Sequence, residues 1–206
     1  MNSPSGPRVP IVVMASGAGS LLAAILERGA APSSPFEVVA VVVDRSCAAE
    51  QIGRDAGIPV VSCKLADHPD REAWDRRLLA EVSGFAPQWV VTAGFMKILG
   101  PAFLAAYSGR VVNSHPALLP AFPGVHGVAD ALAYGVKVTG TTVHLVDGGV
   151  DTGPILAQGT VPVLPDDTVE SLHERIKSTE RDLLPDVVEA VVTRGVVTDG
   201  RKAHIP

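Results

Sequence analysis

Cysteine is scarce: Cys47 and Cys63 are the only two in 206 residues, too few for the disulfide framework of a small secreted domain. They fall where a helix begins and a strand ends, without CxxC spacing, so they suit a reducing cytoplasm and read as structural thiols rather than nucleophiles. Long apolar runs are missing as well. No uninterrupted stretch reaches the roughly 20 residues that cross a bilayer, so no membrane-spanning helix is expected. The apolar segment Val9 to Ala15 lacks the basic flank of an export signal, with only Arg8 before it and Gly17 and Gly19 soon after. Basic clusters are absent and the net charge is −5, so a nucleic-acid partner, held through many neutralised phosphates, is not expected. His68, His126, His144, His173 and His204 show no HExxH, HxH or Cys/His ligand spacing, and no metal is expected. Internal repeats and low-complexity linkers are lacking too, which leaves one domain over residues 9–206 behind a short, polar, disordered arm over residues 1–8.

What is present is a recurrence of short β-branched runs, each followed by a helical pattern. That alternation predicts an α/β domain, a mostly parallel twisted sheet with helices on both faces. The predicted strands are Val9 to Ala15, Phe36 to Val43, Pro59 to Ser62, Trp89 to Thr92 and Arg110 to Val112. The predicted helices between them are Ser20 to Arg28, ended by Gly29, then Cys47 to Ala56, ended by Gly57, and Asp70 to Val82, with Trp74, Leu78 and Val82 at four-residue steps. After Pro116 the character changes. A helix over 127–134 closes at Gly135, and Thr139 to Val146 and Ile155 to Val163 read as an antiparallel pair around a glycine-rich loop. A last helix runs from Thr168 to about Arg194, with Pro185 expected to kink or divide it because proline lacks the amide donor.

Three segments carry chemistry. Ser16-Gly17-Ala18-Gly19-Ser20 joins the first strand to the first helix, where backbone amides and the helix dipole favour a phosphate. Leu22 stands where a dinucleotide fingerprint has a third small residue, but Asp44 at the end of the second strand keeps a dinucleotide-binding module in play; a plain tight turn is the simplest alternative. Asn113-Ser114-His115-Pro116 leaves the carboxyl end of the fifth strand, where parallel sheets place their ligands. Asn113 and His115, two apart on an extended chain, share a face, and an amide donor beside an imidazole suits acyl chemistry. The loop Asp147 to Pro154 supplies two carboxylates, Asp147 and Asp151, either of which could pair with His115 or merely shape a turn. Spacing does not choose between them.

These motifs, with Ala93-Gly94-Phe95-Met96-Lys97-Ile98-Leu99, Ala117-Leu118-Leu119-Pro120, Pro123-Gly124-Val125-His126 and Val143-His144, follow one another in an order that resembles the folate-dependent phosphoribosylglycinamide formyltransferase family from Val9 to about Val188. The resemblance implies transfer of a formyl group from the cosubstrate 10-formyltetrahydrofolate to the amine of glycinamide ribonucleotide, in purine biosynthesis. It implies a catalytic trio of Asn113, His115 and Asp151. It implies folate contacts at Arg71, Met96, Lys97, Ile98, Leu99, Asn113, Asp147, Gly148, Gly149, Val150 and Asp151. Gly17, Ala18, Gly19, Ser20, Leu21, Lys177 and Glu180 fall at the ribonucleotide. Ala18 and Leu21 replace asparagines often found in the family, and Lys177 replaces a glutamine. Small molecules are therefore the expected partners, in the cytoplasm, and a homodimer is compatible with the reading. Formyltetrahydrofolate hydrolases and methionyl-tRNA formyltransferases resemble the same motifs, but usually carry an additional domain for which 206 residues leave no room.

Overall fold

The computed structural model describes residues 7–206, so most of the arm expected over residues 1–8 lies outside the described residues. Arg8, at its end, donates from Nε to the Phe36 carbonyl at 3.0 Å. Along the chain follow β1 (Val9–Ala15), α1 (Ser20–Ala30), β2 (Phe36–Val43), α2 (Ala48–Asp55) and β3 (Val60–Ser62). Then come α3 (Arg71–Ser83), β4 (Trp89–Thr92), α4 (Pro101–Ala106), β5 (Val111–His115) and α5 (Gly127–Tyr134). The chain ends with β6 (Val138–Leu145), β7 (Ile155–Pro162), α6 (Val169–Arg194), β8 (Val197–Asp199) and β9 (Lys202–His204).

The strands form one sheet in the order β3-β2-β1-β4-β5-β6-β7-β9-β8. β1 to β5 are parallel and β6 pairs antiparallel with β7, as the patterning predicted; β6 also runs antiparallel to β5. Period two sorts the side chains of β1. Ile11, Val13 and Ala15 face one core with Leu22 and Ile25 of α1 and Leu184, Val188 and Val191 of α6. Val12 and Met14 face the other, with Trp74, Leu78 and Val82 of α3 and Phe103 of α4. Both faces are thus covered, which is why the central strands are continuously apolar.

Four details depart from the sequence reading. Gly29 lies inside α1 rather than ending it, and a Cβ there would come within 3.1 Å of the Phe36 ring, so it is small for packing. Pro185 does not divide α6: it sits buried inside one continuous helix of 26 residues that starts from a Thr168/Ser171 capping box. α4 has no side-chain cap of its own. The buried carboxylate of Asp75, reaching from α3, accepts instead from the amides of Gly100, Ala102 and Phe103 at 2.9 to 3.3 Å. The β8–β9 hairpin, joined to β7 at Ile155 and Lys202, adds two short strands that periodicity does not disclose.

Candidate active site

β1 and β4 are neighbours, yet the chain proceeds from them to opposite sides of the sheet, and at such a switch in strand order a crevice opens beyond the carboxyl ends. A cavity of about 320 Å³ lies there. One end is lined by Gly17, Ala18, Gly19, Ser20 and Leu21. Gly19 takes φ +76° and opens α1 without a side-chain cap; an added Cβ would also meet Ile52 Cδ1 at 2.7 Å. The first-turn amides of α1 are thereby left for an anion. α6 contributes His173, Lys177 and Glu180 to the same wall. Glu180 is buried and accepts from Ser114 Oγ at 2.6 Å and Thr141 Oγ1 at 3.2 Å. Burial pushes its carboxyl above the ordinary range, and the two hydroxyls offset that only in part.

The other end is lined by Met96, Lys97, Ile98, Leu99, Asp147, Gly149 and Val150. Met96 and Ile98 leave 57% and 59% of their surface open, an apolar lip suited to a flat ring system. The two ends are tied together by Ser16, whose Oγ accepts from the Met96 amide at 2.8 Å and whose amide donates to the Gly94 carbonyl. Arg71 and Gly148 are not part of this lining: Arg71 hooks the Ile98 carbonyl from outside while its guanidinium lies 5.2 Å from the Trp74 ring centre. The Lys97 ammonium is drawn to Asp44 at 3.8 Å. Asp44 is itself buried and held by Arg45 at 2.8 Å. Burial raises the Asp44 carboxyl, but Arg45, Ser16 and Lys97 outweigh it and leave it low. An acid so occupied is poorly placed to receive a ribose hydroxyl, which weakens the dinucleotide alternative.

Between the two ends lie the three residues expected to act together. Asn113 and His115 both line the cavity from β5, and Asp151 faces them from the loop between β6 and β7. His115 Nδ1 is 3.3 Å from Asp151 Oδ2, and its Nε2 is 2.8 Å from the Phe122 carbonyl. A carbonyl only accepts, so Nε2 carries a proton. Asp151 Oδ2 also accepts from the Gly124 amide at 2.7 Å. Burial raises the Asp151 carboxyl, while His144, the Gly124 amide and the charge of His115 more than reverse it, so it stays below the ordinary range. Asp151 has φ +53°, in the left-handed region. Asp147 does something else: its Oδ1 accepts from the Gly149 amide and Thr152 Oγ1, closing the loop on itself. Geometry therefore separates the two acids that spacing left equivalent.

Two further polar groups join this cluster, neither of them given a role by the sequence. Thr92 Oγ1 donates to Asn113 Oδ1 at 2.7 Å, and His144 Nε2 lies 3.1 Å from Asn113 Nδ2 and 3.7 Å from Asp151 Oδ1. Both stand opposite Asn113 in the sheet, Thr92 across the β4–β5 pair and His144 across the β5–β6 pair. Pairing register brings them there, and no local pattern encodes register between distant strands. Among the described residues, no group of three or more His, Cys, Asp or Glu side chains is arranged to hold a metal, and no helix is long and apolar enough to cross a membrane. Cys63 is buried and its thiol is pushed up to about 11, consistent with an unreactive structural role.

Known proteins of this geometry share more than the fold. A formyl transferase family model matches residues 9–188. The phosphoribosylglycinamide formyltransferase of Mycobacterium tuberculosis is 60% identical over 200 residues, spanning 97% of this chain and 92% of that protein. The crystal structure of glycinamide ribonucleotide transformylase 1 from Symbiobacterium toebii superposes with a TM-score of 0.94 at 38% identity, covering 96% of this chain and 94% of that one. A formyltetrahydrofolate deformylase from Pseudomonas syringae superposes with a TM-score of 0.90 at 26% identity, covering 98% of this chain and 67% of that one. With its switch-point cavity, its single sheet of this strand order and its identity over almost the whole chain, the protein belongs to the phosphoribosylglycinamide formyltransferase family.

Proposed function

We propose that residues 9–206 act as one formyltransferase domain in which Asn113, His115 and Asp151 move the formyl group of 10-formyltetrahydrofolate to the amine of glycinamide ribonucleotide, in purine biosynthesis. The observation that carries the assignment of residues is the 3.3 Å approach of Asp151 to His115, on the wall of the cavity that Asn113 also lines. The amides of Gly19, Ser20 and Leu21 receive the ribonucleotide phosphate, with Gly17 and Ala18 allowing close approach and Lys177 adding positive charge. Glu180 holds the ribose. The pterin lies against Met96, Ile98, Leu99 and Val150 and meets backbone groups from Lys97 and from Asp147 to Asp151. Arg71, outside the cavity, serves the folate by fixing the Ile98 carbonyl.

The amine nitrogen forms a bond to the formyl carbon, and the bond from that carbon to N10 breaks. Charge accumulates on the formyl oxygen meanwhile. Asn113 Nδ2 donates to it, and the Nε2–H of His115 is shared between it and the Phe122 carbonyl; losing one such donor costs on the order of 100- to 1000-fold in rate. Asp151 stabilises positive charge that develops on the His115 ring and takes the amine proton, directly or through water; N10 regains one proton as tetrahydrofolate leaves. The location that suits this chemistry, and the two unpaired thiols, is the cytoplasm.

One assay separates transfer from its neighbours. The protein is mixed with 10-formyltetrahydrofolate, with and without glycinamide ribonucleotide, and formylated product and free tetrahydrofolate are quantified. Formyl loss only with the acceptor is the expected result. Loss without it identifies a hydrolase, and loss in neither case rejects both.

A further inference from the structure

We propose that Thr92 is a positioning residue for Asn113: its hydroxyl holds Oδ1 of the side-chain amide, so that Nδ2 presents an N–H to the cavity. This rests on the reading of Asn113 as a donor to the formyl oxygen. An asparagine amide has two orientations of nearly equal shape, and its neighbours decide between them. Only the orientation with Nδ2 towards the formyl oxygen helps, because Oδ1 there would repel the developing charge.

Two contacts decide the orientation. On one side Thr92 Oγ1 is 2.7 Å from Oδ1, and its other acceptor, the Val112 carbonyl, is farther at 3.2 Å. On the other side His144 Nε2 is 3.1 Å from Nδ2. His144 Nδ1 lies 2.8 Å from the Leu145 carbonyl, which can only accept, so Nδ1 bears a proton and Nε2 can offer its lone pair to Asn113. One Nδ2 proton is used on His144, and the second is free for the cavity.

His144 alone makes an ambiguous jaw. Its Nε2 is also 3.7 Å from Asp151 Oδ1, and a ring that took up a proton there would become a donor and invite Oδ1 to turn towards it. The Thr92 hydroxyl opposes that turn. It is buried, on the four-residue strand WVVT, where a hydroxyl needs a partner to be tolerated, and it is the register partner of Asn113 across the sheet. Valine would fill the same space with the donor removed.

The test compares Thr92→Val and Thr92→Ser with the parent enzyme in steady-state formyl transfer, with folding checked by circular dichroism and thermal melting. Thr92→Val lowers kcat by about 10- to 100-fold, less than outright loss of an oxyanion donor, with KM for both substrates changed by less than about threefold. Thr92→Ser recovers most of that loss because it restores the hydroxyl. Adding Thr92→Val to Asn113→Ala costs no further rate, since Thr92 acts through Asn113. Should Thr92→Val fold poorly, Thr92→Ala carries the same comparison. A kcat for the folded, donor-less variant within twofold of the parent overturns the proposal, as does an independent, additive loss in the Asn113→Ala background. If Asn113→Ala itself turns over normally, the reading of Asn113 falls and the role of Thr92 falls with it; if it collapses while Thr92→Val does not, only the role of Thr92 is lost.

Discussion

Asp151→Asn isolates the charge on which the proposed chemistry depends. The backbone at this position is left-handed, with φ +53°, and asparagine tolerates that region better than most residues, so the loop is expected to keep its course. The amide oxygen can keep the Gly124 hydrogen bond now made by Oδ2, while the amide nitrogen takes the place of Oδ1, 3.7 Å from His144 Nε2. What disappears is a negative charge 3.3 Å from His115 Nδ1. At an effective dielectric of about 20, two unit charges at that separation attract by about 5 kcal/mol, a ceiling for the stabilisation of an imidazolium. The cavity is open to water on one side, and screening reduces the usable part to about 3–4 kcal/mol, or roughly 100- to 1000-fold in kcat. The assay is single-turnover formation of formylated product at saturating concentrations of both substrates, with folate affinity measured separately by fluorescence titration. Folate binding should change by less than about threefold, because the contacts assigned to the pterin are apolar or backbone groups. The parent should also lose rate at acid pH as Asp151 takes up its proton, below the ordinary carboxylate range, and the variant should lack that limb. A variant retaining more than about a tenth of parental kcat would refute the charge argument.

Three other expectations follow from the packing. Asp75→Ala leaves three amide donors at the start of α4 without their acceptor and should destabilise the fold by about 2–4 kcal/mol, read from the urea midpoint, with Asp75→Asn recovering part; an unchanged midpoint would show that water replaces the carboxylate freely. Gly19→Ala places a Cβ in the left-handed region against Ile52, costing about 1–2 kcal/mol of stability and raising KM for the ribonucleotide more than for the folate; equal KM changes would remove the phosphate from this loop. Glu180 has a raised carboxyl pKa, so the native state holds that proton more tightly than the unfolded chain, and the resulting stability fades as pH climbs from the ordinary glutamate range through the raised value. Glu180→Gln does not ionise, so its melting temperature should gain on the parent as pH rises from about 4 to 8; a constant gap would contradict the burial argument.

The fold was legible where physics is local. The β-branched runs of β1, β2 and β4, the four-residue spacing in α3 and the left-handed Gly135 after α5 each announce their element within a dozen residues. α4 was not legible, because six residues with no cap of their own hold their shape only by borrowing Asp75 from a helix some 25 positions earlier. Nor was Gly29, which reads as a helix end until the Phe36 ring beside it is known. In the site, Asn113 and His115 could be paired from the two-residue repeat of an extended chain, and the Asp147-to-Pro154 loop offered carboxylates. Choosing Asp151 from the residues themselves required seeing Asp147 spend its oxygen on Gly149 and Thr152. Thr92, His144 and the capture of Lys97 by Asp44 all depend on which strands lie side by side and in what register. Sequence periodicity sets which face a side chain takes, because that follows from backbone geometry one residue at a time. Which distant side chain meets it there is settled by the packing of the whole sheet, and the donors and acid around the proposed reacting carbon come together only at that level.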